Sequence, residues 1–225
     1  GGRTAHTTCR SRGGGVLAAA GFAKGVIPQL TRFLSCVDTF EARRKSGVKV
    51  HEMYAAHADP VPVSITKVVT APWGFTEPIT VPEVAHVEMY WQMMPGETQT
   101  AVESEFFAWL KEVVDAAPEI FPSMPEVRFP IRWMPGSAIA RSEPLVQELS
   151  ECARVTLGHN PVIAGIEGPC DLFIFQDGFH IPATIWGARG SNTHAADEYV
   201  DIDSLVSAAK TLLLFVAEWC GLAQN

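Results

Sequence analysis

From the first residues to Trp133, two spacings alternate along the sequence, the three-to-four-residue repeat of helices and the two-residue repeat of strands, in an order few folds accommodate. Val16, Leu17, Ala20, Ile27, Leu30, Leu34 and Val37 fall near helical spacing, with Pro28 expected to kink or divide the helix. Val63 to Val69 alternates and is rich in β-branched residues, and Ala85 to Met94 is a second strand closed by Pro95-Gly96. Thr100 and Glu103 read as a capping box for a helix whose apolar positions Val102, Phe106, Trp109, Leu110 and Val113 share one face. Val127 to Trp133 reads as another strand. With the remnant of a strand at the start, the order is strand, helix, strand, strand, helix, strand. That is the split βαβ arrangement of a ferredoxin-like, α+β domain whose first strand is incomplete.

After Pro135-Gly136 the pattern changes. Pro144 to Leu157 predicts a helix with proline in its first turn, Leu172 to Phe175 and Ile181 to Trp186 read as short buried strands, and Ile202 to Cys220 predicts a long amphipathic helix. Helices alternating with short apolar strands are expected to form part of an α/β layer structure. Two domains are therefore expected, over residues 1–135 and 136–225.

Charge and cysteine usage narrow the partners. A formal charge of −8 and a pI near 5.3 exclude the basic face that nucleic-acid binding needs. Arg43, Arg44 and Lys45 form a short basic cluster, expected in a solvated loop within the polar stretch Glu41 to Pro62. His51 and His57, in that same stretch, are expected to be solvated rather than metal ligands. No apolar run is long enough to predict a membrane span. Cys9, Cys36, Cys152, Cys170 and Cys220 are odd in number and contain no CxxC pair, which suits reduced thiols in a cytoplasm. The sequence opens Gly-Gly-Arg-Thr without an initiator Met, so an origin inside a longer parent is expected.

The stretch richest in chemistry runs from Gly187 through Gly190, Asn192, His194, Asp197 and Glu198 to Val200, between an expected strand and the last helix. A glycine-rich loop lets backbone approach a ligand, and His194 offers an imidazole for a metal. Asp197 and Glu198 either orient that imidazole or cap the helix. Read without context, a lone loop histidine is more often a structural hydrogen-bonder. A different chemistry, a thiol hydrolase built from Cys170, His194 and Asp197, uses the same loop.

The run His194-Ala-Ala-Asp197-Glu198-Tyr199-Val200 closely resembles the last signature, H-A-x-D-E-Y/F-V, of the zinc aminoacylase and carboxypeptidase-type metallopeptidases, the family of acetylornithine deacetylase, succinyl-diaminopimelate desuccinylase and glutamate carboxypeptidase relatives. Three further segments are similar to that family in the same order. Gly2-Arg-Thr-Ala-His6-Thr resembles its G-x-A-H-S/T segment, Val81-Pro-Glu-Val-Ala85 to Met94-Pro-Gly-Glu97 its V-P-x-x-A…P-G-E strand, and Gly168-Pro-Cys170-Asp171 its G-x-S/C-D turn beside the substrate pocket.

By that resemblance, 1–135 is a lid domain that pairs two subunits and 136–225 the C-terminal part of a catalytic domain. His194 is then a zinc ligand, with Asp197 and Glu198 behind it. His6 reaches across a homodimer to donate to the reacting oxygen, and Cys170, Asp171, Gly187, Gly190 and Asn192 line the pocket for an N-acyl amino acid or small peptide. The family's two zinc ions share a bridging water whose proton passes to a Glu base. The family's H-x-D pair, bridging Asp, Glu-Glu pair and further carboxylate ligand all precede the lid, and none of them is in this sequence. Zinc is therefore not expected to bind stably to this chain alone. Tyr90-Trp91-Gln92 stands where the family commonly has D-x-R, which removes an expected arginine contact to a substrate carboxylate. A non-catalytic dimerisation or binding module derived from the family is the alternative.

Overall fold

A computed structural model describes residues 1–11, 25–71 and 81–221. The chain divides into two compact units, one of Gly1–Gly136 with Ile166–Cys170 and one of Ser137–Gly165 with Asp171–Asn225.

The first unit contains β1 (Gly2–Arg10), α1 (Ile27–Ser35), α2 (Val37–Gly47), β2 (Val63–Ala71), β3 (Val84–Gln92), α3 (Gln99–Asp115) and β4 (Glu126–Arg128). The strands form an antiparallel four-stranded sheet in the order β2-β3-β1-β4, the ferredoxin-like arrangement expected from the spacing. The nine residues of β1 all pair with β3. Its neighbours on both sides make it central, and a central strand must be long to satisfy two ladders.

Alternation along β1 sends Arg3, Ala5, Thr7 and Cys9 inward, while His6 and Arg10 stay exposed on the opposite face. The inner face meets an aromatic cluster from the helices. Trp91 stacks on Phe106 at 5.2 Å, Phe40 packs edge-on to both, and Trp109 donates its Nε1–H to Thr39 Oγ1 at 2.9 Å. All five apolar positions expected on the α3 face are buried.

Several local expectations are corrected. Pro28 sits in the first turn of α1, where its missing N–H costs nothing, so it starts the helix instead of kinking it. Val16, Leu17 and Ala20 lie outside the described residues. The α3 cap is Thr98, whose Oγ1 accepts from the Ala101 N–H at 3.3 Å, because the helix begins at Gln99 and Thr100 is already inside it. Glu103 is instead held by Gln99 and Arg3. Of the strand expected over Val127 to Trp133, only Val127 and Arg128 pair, within β4, which begins one residue earlier at Glu126.

The basic cluster is not a solvated loop. Arg43, Arg44 and Lys45 end α2, and Arg44 is fully buried. Its Nη1 donates to Glu97 Oε1 at 2.6 Å and Glu105 Oε2 at 2.8 Å, and its Nη2 to the Gln92 carbonyl at 3.0 Å and Glu97 Oε2 at 3.0 Å. One rigid guanidinium thus ties α2 to the end of β3, the Pro95-Gly96 turn and α3.

The second unit contains α4 (Pro144–Leu157), β5 (Gly190–Ser191), β6 (Tyr199–Val200) and α5 (Ile202–Cys220). Both helices have their expected bounds, with Gly158 at φ +77° closing α4. They pack through a hydroxyl pair, Thr156 and the fully buried Thr211, whose oxygens are 2.5 Å apart. The two buried strands expected over Leu172–Phe175 and Ile181–Trp186 are absent. Ile174–Gly178 forms a π-helical turn, and Phe175, Ile181 and Ile185 are exposed. A short apolar run does not by itself separate strand from helix, and no neighbouring strand is described that would pair with either segment.

Among the described residues no helix is long and apolar enough to cross a membrane. All five cysteines are free thiols: Cys9, Cys36 and Cys152 are buried, Cys170 is half-buried and Cys220 is exposed.

Candidate functional site

In the first unit, the sheet turns a polar face away from the helices. The β1–β3 register sets His6 opposite Glu88 and Thr8 opposite His86, and the β1–β4 register sets His6 opposite Arg128. His6 Nε2 lies 2.5 Å from Glu88 Oε2, and Thr8 Oγ1 lies 3.0 Å from His86 Nδ1. Glu88 also takes a hydrogen bond from Thr66 Oγ1 at 2.7 Å and an ion pair from Lys67 Nζ at 3.0 Å. Those donors, Thr66 first, then His6 and Lys67, hold the Glu88 carboxyl down at about 2. Glu88, Thr66 and Lys67 were not singled out from the sequence. The signal available was the outward alternation of β3, which places His86 and Glu88 on the face that also carries His6.

The expected pocket turn straddles the two units. Gly168 adopts φ +137°, Cys170 closes the first unit and the exposed Asp171 opens the second. Nearby in the first unit, Tyr54 donates its hydroxyl to the Ile166 carbonyl at 2.9 Å. His57 Nδ1 meets Glu167 Oε1 at 2.5 Å, and His51 Nδ1 accepts from the Met53 N–H at 3.3 Å. Both histidines thus have protein partners where solvated side chains were expected.

In the second unit, β5 and β6 pair Gly190 with Val200 and Ser191 with Tyr199, closing the loop that carries His194. Asn192, His194 and Asp197 adopt φ of +59°, +64° and +59°, and all are exposed. Asn192 Nδ2 donates to the Asp197 carbonyl at 3.3 Å. Glu198 Oε2 accepts from the backbone N–H of His194 at 3.4 Å, so it fixes the loop's main chain and leaves the imidazole outside that bond. The cap of α5 is neither Asp197 nor Glu198 but Asp201, which accepts from the Ser204 N–H at 2.6 Å. Gly187 lies in open space, whereas Gly190 abuts Tyr199.

These residues do not by themselves fit a zinc ion. Among the described residues no three or more His, Cys, Asp or Glu side chains converge as ligands, and His194 offers one imidazole where zinc needs about four donors.

No family model and no curated protein matches the chain. Solved structures do. A di-peptidase of Saccharomyces cerevisiae matches with a TM-score of 0.71 at 14% identity, over 99% of this chain and 55% of its own. Human carnosine dipeptidase 1 matches with a TM-score of 0.70 at 14% identity, over 98% and 56%. An M20 family metallo-carboxypeptidase from Sulfolobus solfataricus matches with a TM-score of 0.60 at 16% identity, over 96% and 57%. The chain therefore spans little more than half the length of each. Across nearly all of its own length, it has the mixed α/β fold of M20-family metallopeptidases and dipeptidases, including the antiparallel sheet of their lid domain.

Proposed function

We propose that the chain is the lid domain (1–135) and the C-terminal part of the catalytic domain (136–225) of a metallohydrolase that cleaves amide bonds of N-acyl amino acids or small peptides, with two zinc ions per complete site. The observation that carries this reading is the order of the His6 strand and the His194 loop within a fold that follows metallopeptidases over almost the whole chain. His194 is the ligand this chain contributes, on a loop whose main chain Glu198 and the β5–β6 ladder hold. Asp197 stands behind it, and Cys170, Asp171, Gly187, Gly190 and Asn192 form the pocket floor. His6 of a second copy of the chain donates a hydrogen bond to the oxygen on which negative charge develops. The remaining ligands and the general base belong to polypeptide outside these residues.

The exposed surface of the second unit supports the same reading. Ile202, Leu205, Val206, Leu213, Val216 and Trp219 of α5 are each about half exposed or more, Leu213 to 75%. A contiguous apolar face of that kind is covered in a finished domain. Free thiols at all five cysteines suit a reducing, cytoplasmic setting.

The test is the longest protein that contains this chain, purified and assayed on N-acetyl and N-succinyl amino acids and dipeptides, with metal content and sedimentation measured. Chelator-sensitive turnover by a dimer holding two zinc ions per subunit is expected, with one zinc and nearly all activity lost in His194→Ala. Full metal content and an undiminished rate in that folded variant would overturn the assignment.

A further inference from the structure

The polar face of the sheet holds His6 in a defined way. β2 and β3 change register between Ile65 and Lys67, so the bulge presents two consecutive residues of β2 to one residue of β3. Both reach Glu88: Thr66 Oγ1 donates to Oε1 at 2.7 Å, and Lys67 Nζ lies 3.0 Å from Oε1 and 3.2 Å from Oε2. Glu88 stands directly across from His6, with Oε2 2.5 Å from His6 Nε2. The carboxylate stays ionised down to about pH 2, the Thr66 hydrogen bond being the largest cause. An ionised carboxylate only accepts, so the shared hydrogen belongs to the His6 nitrogen.

We propose that Glu88, clamped by Thr66 and Lys67 at the bulge, is the positioning residue for His6: it commits the ring's Nε2–H and leaves Nδ1 as the atom offered to a substrate oxygen. The inference rests on reading His6 as an oxyanion donor. It adds a chemical constraint to that reading. With Nε2–H engaged, the neutral ring presents a bare acceptor at Nδ1, and only the doubly protonated ring presents a donor there. A donor contact from Nδ1 to an oxyanion therefore requires the doubly protonated ring, paired with Glu88. The charged and titratable groups sharing this face are Glu88, His86 and Tyr90 of β3, Lys67 of β2, Glu126 and Arg128 of β4 and Arg10 of β1. Of these, Glu88 is the one in hydrogen-bond contact with the ring.

Proton–nitrogen spectra of the 225-residue chain labelled with ¹⁵N-histidine, at mildly alkaline pH, read the contact directly. An imidazole Nε2–H resonance protected from solvent exchange is expected, assigned to His6 by its loss in His6→Gln. It is expected to vanish in Glu88→Ala and to broaden in Thr66→Val, which keeps the carboxylate and removes the hydroxyl that donates to Oε1. The absence of a protected resonance in the unmodified chain, or its survival in Glu88→Ala, would overturn the proposal. If Glu88→Ala does not fold, the Thr66→Val spectrum decides: an unchanged resonance there counts against the clamp.

In the complete hydrolase, Glu88→Ala is expected to lower kcat about tenfold with KM little changed, as loss of a residue that orients another commonly does. It should add nothing in a His6→Ala background. An equal loss in both backgrounds marks a merely structural role and overturns the proposal. An undiminished kcat in His6→Ala sinks the oxyanion-donor reading instead, and leaves the spectral result standing.

Discussion

Gly190 lies so close to Tyr199 that a Cβ on it would sit 2.5 Å from the Tyr199 carbonyl oxygen. This contact lies within the β5–β6 ladder, where Gly190 pairs with Val200 and Ser191 with Tyr199, and the loop the ladder closes holds Asn192, His194 and Asp197 in left-handed backbone. Each such residue costs about 1 kcal/mol or more relative to ordinary backbone, so the loop keeps its shape only where its ends are pinned. The pins are the ladder, the Asp201 N–H on the Arg189 carbonyl at 2.9 Å, and the Arg189 N–H on Ser204 Oγ at 2.9 Å.

Gly190→Ala pushes the ladder apart and releases the His194 loop without touching the packing of α4 on α5. If the proposed assignment of His194 as a metal ligand holds, kcat/KM of the proposed full-length hydrolase falls at least about tenfold, as displacement of a metal-site residue does. The melting temperature should move by only a few degrees, since the change is local and exposed. Steady-state kinetics beside a thermal melt checks this, and full activity in Gly190→Ala would show that the loop's geometry does not matter.

Arg44 is the buried charge on which the first unit depends. Its side chain is fully buried while Glu97 and Glu105 are partly exposed, so removing it strands two carboxylates on each other at the end of β3. Arg44→Met is expected to cost about 2–3 kcal/mol, below the usual range for breaking a fully buried pair because both acids retain some solvent. Arg44→Lys should recover little of that, since one ammonium cannot reach both acids and the Gln92 carbonyl in the fork geometry of arginine. Urea unfolding followed by tryptophan fluorescence measures it, and a loss below about 0.5 kcal/mol, the scale of an ordinary surface change, would contradict the role given to the cluster.

Why some of this was legible in the sequence and some was not follows from where the determining contacts lie. α3, α4 and β3 were readable because their apolar spacing faces a single buried side, and periodicity records that directly, while β2 and α5 carry the same spacings although Ile65, Val68 and Val69 of β2 and most apolar residues of α5 are exposed. β1 left a weaker mark because its inward set includes Arg3 and Thr7, polar residues that long-range partners make acceptable: Arg3 donates to the Ile131 carbonyl at 2.8 Å, pairs with Glu103 and lies over Phe129. Arg44 was misread for the same reason, since a basic triplet looks solvated until its acids, 53 and 61 residues away, are brought to it. His6 and His194 were singled out by likeness to short motifs. Glu88, whose importance depends on a bulge in the neighbouring strand, leaves no local mark.

Glu88 also predicts an acid dependence with a definite sign. Its folded pKa of about 2 lies below the ordinary value of 4.5, so the carboxylate contributes stability above about pH 4.5 and loses it as pH falls toward 2. Solvent screening limits that contribution to about 1 kcal/mol. Glu88→Gln should therefore be less stable than the unmodified chain by about that much at neutral pH, with the gap shrinking to less than half near pH 3. Denaturant midpoints at the two pH values test it, and a gap that widens in acid would show that the carboxylate is not held ionised.

The 225-residue chain by itself is expected to be silent on N-acyl amino acids and dipeptides, with or without added zinc. The argument is one of donors. His194 supplies a single imidazole, and no cluster of three ligands forms among the described residues, whereas zinc needs about four donors to resist water. His6 remains available, but one oxyanion donor contributes only about 3 kcal/mol of the roughly 8 kcal/mol or more that separates an enzyme from background. The same chain should bind a hydrophobic dye or self-associate, because Ile202 and Leu213 of α5 are 73% and 75% exposed and Val162 is 91% exposed. Adding the separately expressed remainder of the proposed hydrolase should quench the dye signal and bring turnover back together, as one event with one concentration dependence. Chelator-sensitive hydrolysis by the isolated chain would place the metal site elsewhere, and turnover restored without loss of the dye signal would mean that the apolar face of α5 is not where the missing part of the domain docks.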